Sequence, residues 1–396
     1  MLDLTRRLHE YGSVLLETIE PPHEERVALL FSRPAEVRVA WDAAELDGLL
    51  EEVDRATASG GFAAGFLSYE AGSAWTPRLR SRRSVGPLAW FGFYGRPLRL
   101  PLVAVRLLGE GEPWHVGPSE FSWSPQRYND AFVRVREHIY EGDVYQVNLT
   151  GMLRFRFGGS PVGLYGALAR TQSNVWGAYV NMGQRQILSR SPEVFFQQHG
   201  DRILTRPMKG TRPVGPTREA SLRSAHALAT DPKNRAENLM IVDLLRNDLS
   251  VVCVPDSVRV PELFSTEVHE TLVQMTSTIT GHLRPSTSLR DLMVALFPCG
   301  SVTGAPKIRA MQLIRDIEPL PRGVYCGAVG YVGPSRTAVF NVAIRTIELE
   351  GDTGTLGTGS GVVWDSDSDE EYVEILLKTR FFREVADCAA HASGPA

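Results

Sequence analysis

The stretch VWGAYVNMGQRQILSRSPEVFFQQHGDRILT, residues 175–205, contains four short apolar runs separated by glycine, proline and polar residues. The runs lie at residues 175–182, 186–189, 193–198 and 202–205. Each has the length of a strand and is bounded by turn-forming residues, whereas a helix shows a longer pattern with 3.6-residue periodicity. The stretch therefore predicts four short strands of a sheet.

Helices and further strands are predicted on both sides of this stretch, so composition and pattern indicate a mixed α and β protein. Helical spacing or a capping signal predicts helices at 41–58, 124–141, 161–171, 218–229, 236–245, 288–296, 307–318 and 370–382. Strands are predicted at 62–69, 89–94, 98–107, 144–157, 271–283, 326–332 and 339–348.

The length of 396 residues is large for a single hydrophobic core, and two units are predicted. We predict an N-terminal subdomain at residues 1–118 and a larger domain at residues 124–385 that carries the candidate catalytic residues. The segment 109–118 is rich in glycine, proline and charge and is the predicted linker.

The composition, 43% hydrophobic and 22% charged, is typical of a globular protein. A net charge of −4 argues against a general surface for nucleic acid or anionic membrane. We see neither a signal peptide nor a membrane-spanning apolar run. The four cysteines lie far apart without CxxC spacing, which favours reduced thiols in a cytoplasmic protein.

A lysine in the run RPMKGT, residues 206–211, is the candidate nucleophile. Lys209 lies between a proline and a glycine, where the backbone is constrained and can approach a ligand closely. A primary amine held in this way can act in covalent catalysis. The alternative is an ordinary solvated lysine in a turn.

Carboxylates on two predicted helices are candidate metal ligands. Glu237 begins one helix, and Glu371 and Glu374 share one face of another because they are three residues apart. Oxygen ligands of this kind suit Mg²⁺. The glycine-rich run GTGSG at 357–361 exposes backbone N–H groups that can hold an anion. The alternative for the carboxylates is a solvated helix face.

Three further polar positions have both a structural and a functional interpretation. Arg345 lies in an apolar strand context and needs a carboxylate partner, from the protein or from a substrate. His269, considered in isolation, is more typical of a structural histidine than of a ligand-binding one. The small-residue loop at 299–307, which contains Ser301, is either a helix cap or a ligand-facing loop.

Together these motifs resemble those of the chorismate-utilising enzymes, which include anthranilate synthase component I, aminodeoxychorismate synthase component I, isochorismate synthase and salicylate synthase. The resemblance covers residues 124–382 and rests on six motifs in the family's order. They are YQVN at 145–148, SPE at 191–193, RPMKGT at 206–211, the Glu237 helix, the loop at 301–307 and the segment 357–374. It implies an α/β layered fold of two large, mainly antiparallel sheets packed face to face, with helices outside.

Two positions separate the reactions within this family. Isochorismate- and salicylate-forming members carry a lysine base where this chain has Gln146, so the glutamine argues against water as the nucleophile. Anthranilate synthases usually have alanine where this chain has Lys209. The chain thus resembles the aminodeoxychorismate synthases. Anthranilate synthase component I and a non-catalytic chorismate-binding subunit are the alternatives.

The resemblance also implies roles for individual residues. Lys209 matches the nucleophile and Glu193 the general acid, while Glu237, Glu374 and Glu371 match the residues around Mg²⁺. The positions that match the substrate-binding residues are Gln146, Thr211, His269, Ser301, Tyr325, Arg345, Gly359, Ser360 and Gly361.

The ammonia source is expected to be separate. Since we see no glutaminase nucleophile, ammonia is predicted to come from a glutamine amidotransferase subunit or from solution. The run LLET at 15–18 is similar to a tryptophan-binding motif of some family members, but the surrounding sequence diverges and we assign no site there.

Overall fold

The computed structural model describes residues 2–19, 26–76, 78–79, 84, 86–172, 176–268 and 272–392. In chain order its strands β1–β20 are Val14–Ile19, Arg26–Phe31, Glu36–Ala40, Phe62–Leu67, Ala89–Tyr94, Leu98–Leu100, Trp114–Phe121, Gln146–Gly159, Trp176–Asn181, Arg185–Ser191, Val194–His199, Arg202–Arg206, Met208–Pro213, Arg259–Val268, Leu272–His282, Gly304–Ala305, Ala328–Gly333, Thr337–Val342, Thr346–Glu350 and Thr353–Val362. Its helices α1–α11 are Leu2–His9, Ala43–Ala58, Val103–Arg106, Pro125–Tyr140, Pro161–Thr171, Arg218–Thr230, Pro232–Val252, Leu289–Leu296, Lys307–Ile317, Ser368–Leu377 and Arg380–Ala392. Two 3-10 turns lie at Tyr69–Ser73 and Gly300–Val302.

Two ten-stranded sheets form the framework. The first has the order β16-β8-β20-β19-β10-β9-β1-β2-β6, and β7 also pairs with β8. The second has the order β13-β15-β12-β11-β18-β17-β4-β5-β3, and β14 also pairs with β15. Neighbouring strands run antiparallel, for example β8 with β20 and β17 with β18. The predicted fold class is confirmed.

A layer of apolar side chains joins the two sheets. Phe31 from the first sheet and Tyr331 from the second have ring centroids 5.8 Å apart. Buried neighbours in this layer include Val14, Leu16, Phe66, Trp90 and Val329. Alternating strand residues place one apolar face inward on each sheet, and burying both faces together holds the sheets in contact.

The helices cover the outer faces of the sheets. On the first sheet, α5 and α11 pack over a cluster that contains Leu164, Phe155 and Phe382. On the second, α2, α7 and α8 contribute to another cluster, with Leu50, Leu245 and Leu292. The residues described contain no helix long and apolar enough to cross a membrane.

The four strands predicted within residues 175–205 are divided between the two sheets. β9 and β10 pair with each other in the first sheet, and β11 and β12 pair in the second. The chain crosses at Pro192 and Glu193, between β10 and β11. It crosses again between β18 and β19, which are the neighbours of β11 and β10. Two crossings therefore lie side by side.

The N-terminal strands are part of both sheets. β1 pairs with β9, and β4 pairs with β17. The predicted linker 109–118 is wrong in its second half, because Trp114–Phe121 forms β7 and pairs with β8. The register slips between Val116 and Ser119, where Gly117 and Pro118 are accommodated at the sheet edge.

Other elements also differ from the sequence prediction, and the helix predicted at 236–245 extends over Pro232–Val252. The predicted strand 98–107 is a three-residue strand, β6, followed by the helix α3. The predicted strand 339–348 is two strands in different sheets. The predicted helix 370–382 is broken between Leu377 and Arg380, so that α10 and α11 are separate.

Candidate active site

Lys209 lies on β13, an edge strand of the second sheet. Its pairing with β15 slips between Met208 and Thr211, and Lys209 and Gly210 occupy this irregularity. Gly210 has a φ of 84°, and a Cβ there would lie 2.6 Å from Asn234 Oδ1 on α7. Glycine at this position thus permits both the left-handed backbone conformation and the close contact with α7. The bulge in the strand changes the direction of the neighbouring Lys209 side chain.

The amine of Lys209 reaches the first sheet at Gly361. A Cβ on Gly361 would lie 3.0 Å from Lys209 Nζ and 2.6 Å from Gln146 Nε2. The missing side chain leaves room for both groups. Gln146 is fully buried, and neither polar atom of its amide has a hydrogen-bond partner among the described residues. Such orphaned polar atoms cost stability unless a ligand or water satisfies them, which is typical of a functional site.

Glu193 lies at the first crossing between the sheets. Its backbone carbonyl accepts a hydrogen bond from Val342 N at 3.1 Å, which ties it to the second crossing. The side chain is buried, and Oε1 has no hydrogen-bond partner among the described residues. Burial raises the pKa of Glu193 from 4.5 to about 7, although a hydrogen bond from Ser301 and the charge of Lys209 oppose this. The group is suited to proton transfer near neutral pH.

Arg345 lies at the second crossing rather than within a strand. Its φ is 50°, and its carbonyl accepts a hydrogen bond from Arg190 N at 3.0 Å. Its Nη1 donates to Gln172 Oε1 at 3.0 Å, and desolvation lowers the pKa of the guanidinium. Among the ion pairs of the described residues none involves Arg345. A largely desolvated arginine without a carboxylate is a candidate anion-binding group.

Tyr325 packs against the glycine-rich strand β20. A Cβ on Gly357 would lie 2.1 Å from the Tyr325 ring, so glycine is needed for this contact. The next residue, Cys326, donates its backbone N–H to Ala343 O at 2.9 Å, close in sequence to Arg345. Tyr325 is therefore held between β20 and the second crossing.

The three predicted metal ligands come from two helices. Glu237 lies on α7, and Glu371 and Glu374 lie on α10, which packs on β20. Burial raises the pKa of Glu237, and the charges of Glu371 and Glu374 raise it further, against Lys209 and Lys233. Like charges brought together in this way favour a bound cation.

Two of these carboxylates already have protein partners. Glu371 Oε1 accepts a hydrogen bond from Ser366 at 2.7 Å, and Glu374 Oε1 pairs with Lys378 at 2.7 Å. Burial would raise the pKa of Glu374, but Lys378, with Lys209 and Lys233, outweighs burial and lowers it. Each of these carboxylates has a second oxygen. A few carboxylate oxygens, with room for water and substrate oxygens, are what Mg²⁺ requires, so the donor set fits this ion.

A tighter group of potential ligands lies elsewhere on the surface. Within the described ranges, only His138, Glu141 and Asp143 bring three ligand atoms within 4.8 Å of one another. Asp143 also receives hydrogen bonds from Arg309 at 2.5 Å and from His138 at 2.9 Å. Asp143 is thus already bonded within the protein, and we assign no metal to this group.

The loop that contains Ser301 is structural at both ends. The Cys299 thiol and the Ser301 hydroxyl are 3.2 Å apart, and Thr303 Oγ1 donates to Cys299 O at 3.1 Å. Lys307 pairs with Asp248 at 2.6 Å, which fixes α9 against α7. The predicted N-cap interpretation is wrong, because the N-cap of α9 is Pro306 and has no side-chain hydrogen bond.

The remaining predicted ligand residues occupy different positions. The Ser360 hydroxyl lies 3.4 Å from the Tyr128 hydroxyl on α4, so only its backbone is available to a ligand beside Gly361. Gly359 O accepts a hydrogen bond from Lys378 Nζ at 2.8 Å. Thr211 is an exposed residue of β13. His269 lies outside the described residues.

Sequence reasoning missed the basic residues around the carboxylates. Lys378 follows Glu374 by four residues and caps the end of α10, and this spacing could have indicated the pair. Lys233 lies one turn before Glu237, a signal too common to be selective. A buried pair, Glu318 and Arg322, was also missed.

The fold and this arrangement define a class of enzyme. Residues 17–384 match the chorismate binding enzyme family, and the chain belongs to this family.

Its curated relatives carry two kinds of name. An aminodeoxychorismate synthase of Streptomyces pristinaespiralis is 39% identical over 323 residues, which cover 79% of this chain and 44% of the relative. Aminodeoxychorismate synthase component 1 of Escherichia coli is 39% identical over 253 residues, 64% of this chain and 56% of the relative. Anthranilate synthase component 1 of Methanothermobacter marburgensis is 36% identical over 272 residues, 69% of this chain and 59% of the relative. The matches thus span about half the length of these relatives.

A solved structure shares the architecture over nearly the whole chain. Anthranilate synthase component I of Streptococcus pneumoniae superposes with a TM-score of 0.79 at 25% identity, covering 92% of this chain and 94% of that chain.

Proposed function

We propose that this chain aminates chorismate at C4 to give 4-amino-4-deoxychorismate, the reaction of an aminodeoxychorismate synthase component I. The observation that carries the proposal is the convergence of an amine, a buried acid and an orphaned amide, from Lys209, Glu193 and Gln146. Relatives with that name at 39% identity support the same reaction.

The proposed chemistry has two displacement steps. The neutral amine of Lys209 attacks C2 of chorismate, both ring double bonds shift by one position, and the C4 hydroxyl leaves as water with a proton from Glu193. Ammonia then attacks C4, both double bonds shift back, the C2–N bond to Lys209 breaks, and the Glu193 carboxylate takes up the proton that the new amine releases. Covalent catalysis replaces one difficult displacement by two allylic ones, and the acid makes hydroxide a competent leaving group.

Mg²⁺ is the proposed cofactor, held by Glu237 and Glu374 with Glu371 in support. Bound there, the ion supplies positive charge for a substrate carboxylate. Since Glu237 interacts electrostatically with Lys209, a carboxylate anchored at this end keeps the ring beside the amine.

Arg345 and Tyr325 are the proposed holders of the second carboxylate of chorismate. The guanidinium is desolvated and has no carboxylate partner among the described ion pairs, which favours an incoming anion. Arginine presents a planar pair of donors that matches a carboxylate. The backbone of Gly359 to Gly361 would line the space between the proposed Mg²⁺ site and Arg345.

Ammonia is proposed to come from a separate glutamine amidotransferase subunit. The term "component 1" in the names of two relatives supports a second component. The competing function is anthranilate synthase component I, favoured by relatives at 36% identity. The two reactions differ in the carbon that receives nitrogen, and Lys209 favours C4.

The test is product analysis with purified protein, chorismate, Mg²⁺ and ammonium chloride. We expect 4-amino-4-deoxychorismate, and anthranilate would favour the alternative. Without ammonia, chorismate should leave added mass on the Lys209 peptide.

Two variants make the nucleophile assignment decisive. Lys209→Ala should abolish both the adduct and amination at C4, whereas Lys233→Ala, a lysine near the same carboxylates, should keep the adduct. Full production of 4-amino-4-deoxychorismate by Lys209→Ala would show that this lysine is not the nucleophile.

A further inference from the structure

The edge of β8 next to the site is completed by side chains. The short strand β16 pairs only with Gln146 and Val147 of β8. One residue further, Asn148 N donates to Thr303 O at 2.8 Å. Among the described residues, the next strand that pairs with β8 on this edge is β7, and its pairing begins at Leu153.

Glu318 and Arg322 take the place of the missing strand. Thr150 N donates to Glu318 Oε1 at 2.9 Å, and Arg322 Nη2 donates to Asn148 O at 2.7 Å. One side chain thus accepts from the strand and the other donates to it, as a neighbouring strand would do.

The same arginine holds the Ser301 loop. Arg322 Nη1 donates to Val302 O at 2.7 Å. Its Nε and Nη2 donate to Glu318 at 3.0 and 2.6 Å. All three nitrogens of the guanidinium therefore donate hydrogen bonds. Val302 follows Ser301, and Asn148 lies two residues from Gln146. One guanidinium therefore fixes two segments that carry predicted ligand residues.

The pair is itself firmly seated. Arg322 and Glu318 are 2% and 3% exposed. The guanidinium lies 4.5 Å from the centroid of the Tyr69 ring, and Arg322 N donates to Glu70 Oε1 at 2.8 Å. Burying an ion pair costs desolvation, and here the bonds from the pair to Val302, Asn148 and Thr150 offset part of that cost.

We propose that Glu318 and Arg322 are positioning residues for the amination of chorismate: they align Gln146 on β8 with Ser301 and, through Ser301, with Glu193. This rests on the proposed function, which gives Gln146 and Glu193 their roles. Small displacements of such groups lower turnover strongly even when binding and folding persist.

The experiment compares Arg322→Lys, Arg322→Met and Glu318→Ala with the wild type. Lysine keeps the positive charge but cannot donate to both carbonyls in the arginine geometry. We expect kcat to fall about 100-fold in Arg322→Met and about 10-fold in Arg322→Lys, with a smaller change in KM. In Glu318→Ala the amide of Thr150, having lost its acceptor, should exchange hydrogen faster in the peptide that contains it.

The matched control is Asp47→Ala, which removes the hydrogen bonds from Arg290 and Trp75 to Asp47 without touching β8. It should lower thermal stability but leave kcat and the exchange of the Thr150 peptide unchanged. The proposal would be overturned if Asp47→Ala lost as much kcat as an Arg322 variant of the same thermal stability. It would also be overturned if the Thr150 peptide of Glu318→Ala exchanged hydrogen at the wild-type rate. If the wild type makes no product from chorismate and ammonium, the proposed reaction fails, and the exchange measurement still decides whether the pair holds β8.

Discussion

Replacing Glu193 by glutamine should stabilise the protein at alkaline pH while removing its activity. Burial raises the pKa of this carboxyl from 4.5 to about 7. The folded protein therefore keeps a proton that the unfolded chain has already lost. This difference in pKa between the folded and unfolded states corresponds to a free energy of about 3 kcal/mol.

The sign of the effect follows from proton linkage. Between pH 4.5 and about 7 the folded state binds one more proton at Glu193 than the unfolded state, so wild-type stability falls as the pH rises. Above pH 7 the ionised Glu193 lowers the free energy of unfolding by its full amount. Below pH 4.5 it is protonated in both states and does not lower it. Glutamine is neutral at every pH, so the advantage of Glu193→Gln should grow to about 3 kcal/mol at pH 8.

The assay is urea unfolding of wild type and variant at pH 4.5 and pH 8, with turnover measured in parallel. Turnover of Glu193→Gln should be lost at both pH values, since the acid must supply a proton and the glutamine amide cannot. The exposed Glu120→Gln on β7 serves as the control and should show no pH-dependent gain in stability. A stability difference that is the same at both pH values would refute the argument, and so would a Glu193→Gln variant with wild-type turnover.

Three other outcomes are expected. Gly361→Ala should lower kcat at least tenfold with little change in melting temperature, because the new Cβ would meet the flexible ends of Lys209 and Gln146 at 3.0 and 2.6 Å; unchanged kcat would place the substrate elsewhere. Glu237→Gln should raise the Mg²⁺ concentration needed for half-maximal activity at least tenfold, and full wild-type turnover in excess chelator would exclude the metal proposal. Among the four cysteines, Cys388 alone should react rapidly with iodoacetamide at pH 8, since it is exposed while the others are buried; modification of a second thiol in native protein, seen by peptide mass, would contradict this.

Local pattern in the sequence predicted the strands but not their partners. The four runs of residues 175–205 correspond to β9–β12 within two residues at each end. Each run has the same short apolar pattern, so nothing local indicates that the first two belong to one sheet and the last two to the other. The same limit explains why residues 339–348 were predicted as one strand, since the crossing at Arg345 interrupts an otherwise continuous apolar run.

The candidate site was predicted through residues with chemical character. Lys209, Glu193 and Gln146 are brought together, and Glu237, Glu371 and Glu374 share one electrostatic environment, although the assigned roles stay predictions. What sequence reasoning missed is the support around them. Glu318 and Arg322 have the i, i+4 spacing of an ordinary exposed helix pair, and only the tertiary structure shows that they are buried.

The position of the two crossings explains why acid and anion-binding groups can meet in this fold. A residue inside a sheet must use its backbone for the ladder and one face for the core. At a crossing the backbone leaves the ladder, and Glu193 and Arg345 lie where the chain passes from one sheet to the other. Because Val342 N bonds to Glu193 O and Arg190 N bonds to Arg345 O, each crossing is braced by the other. Burial there supplies what the proposed chemistry needs, an acid that keeps its proton near neutral pH and a cation without a carboxylate partner among the described ion pairs.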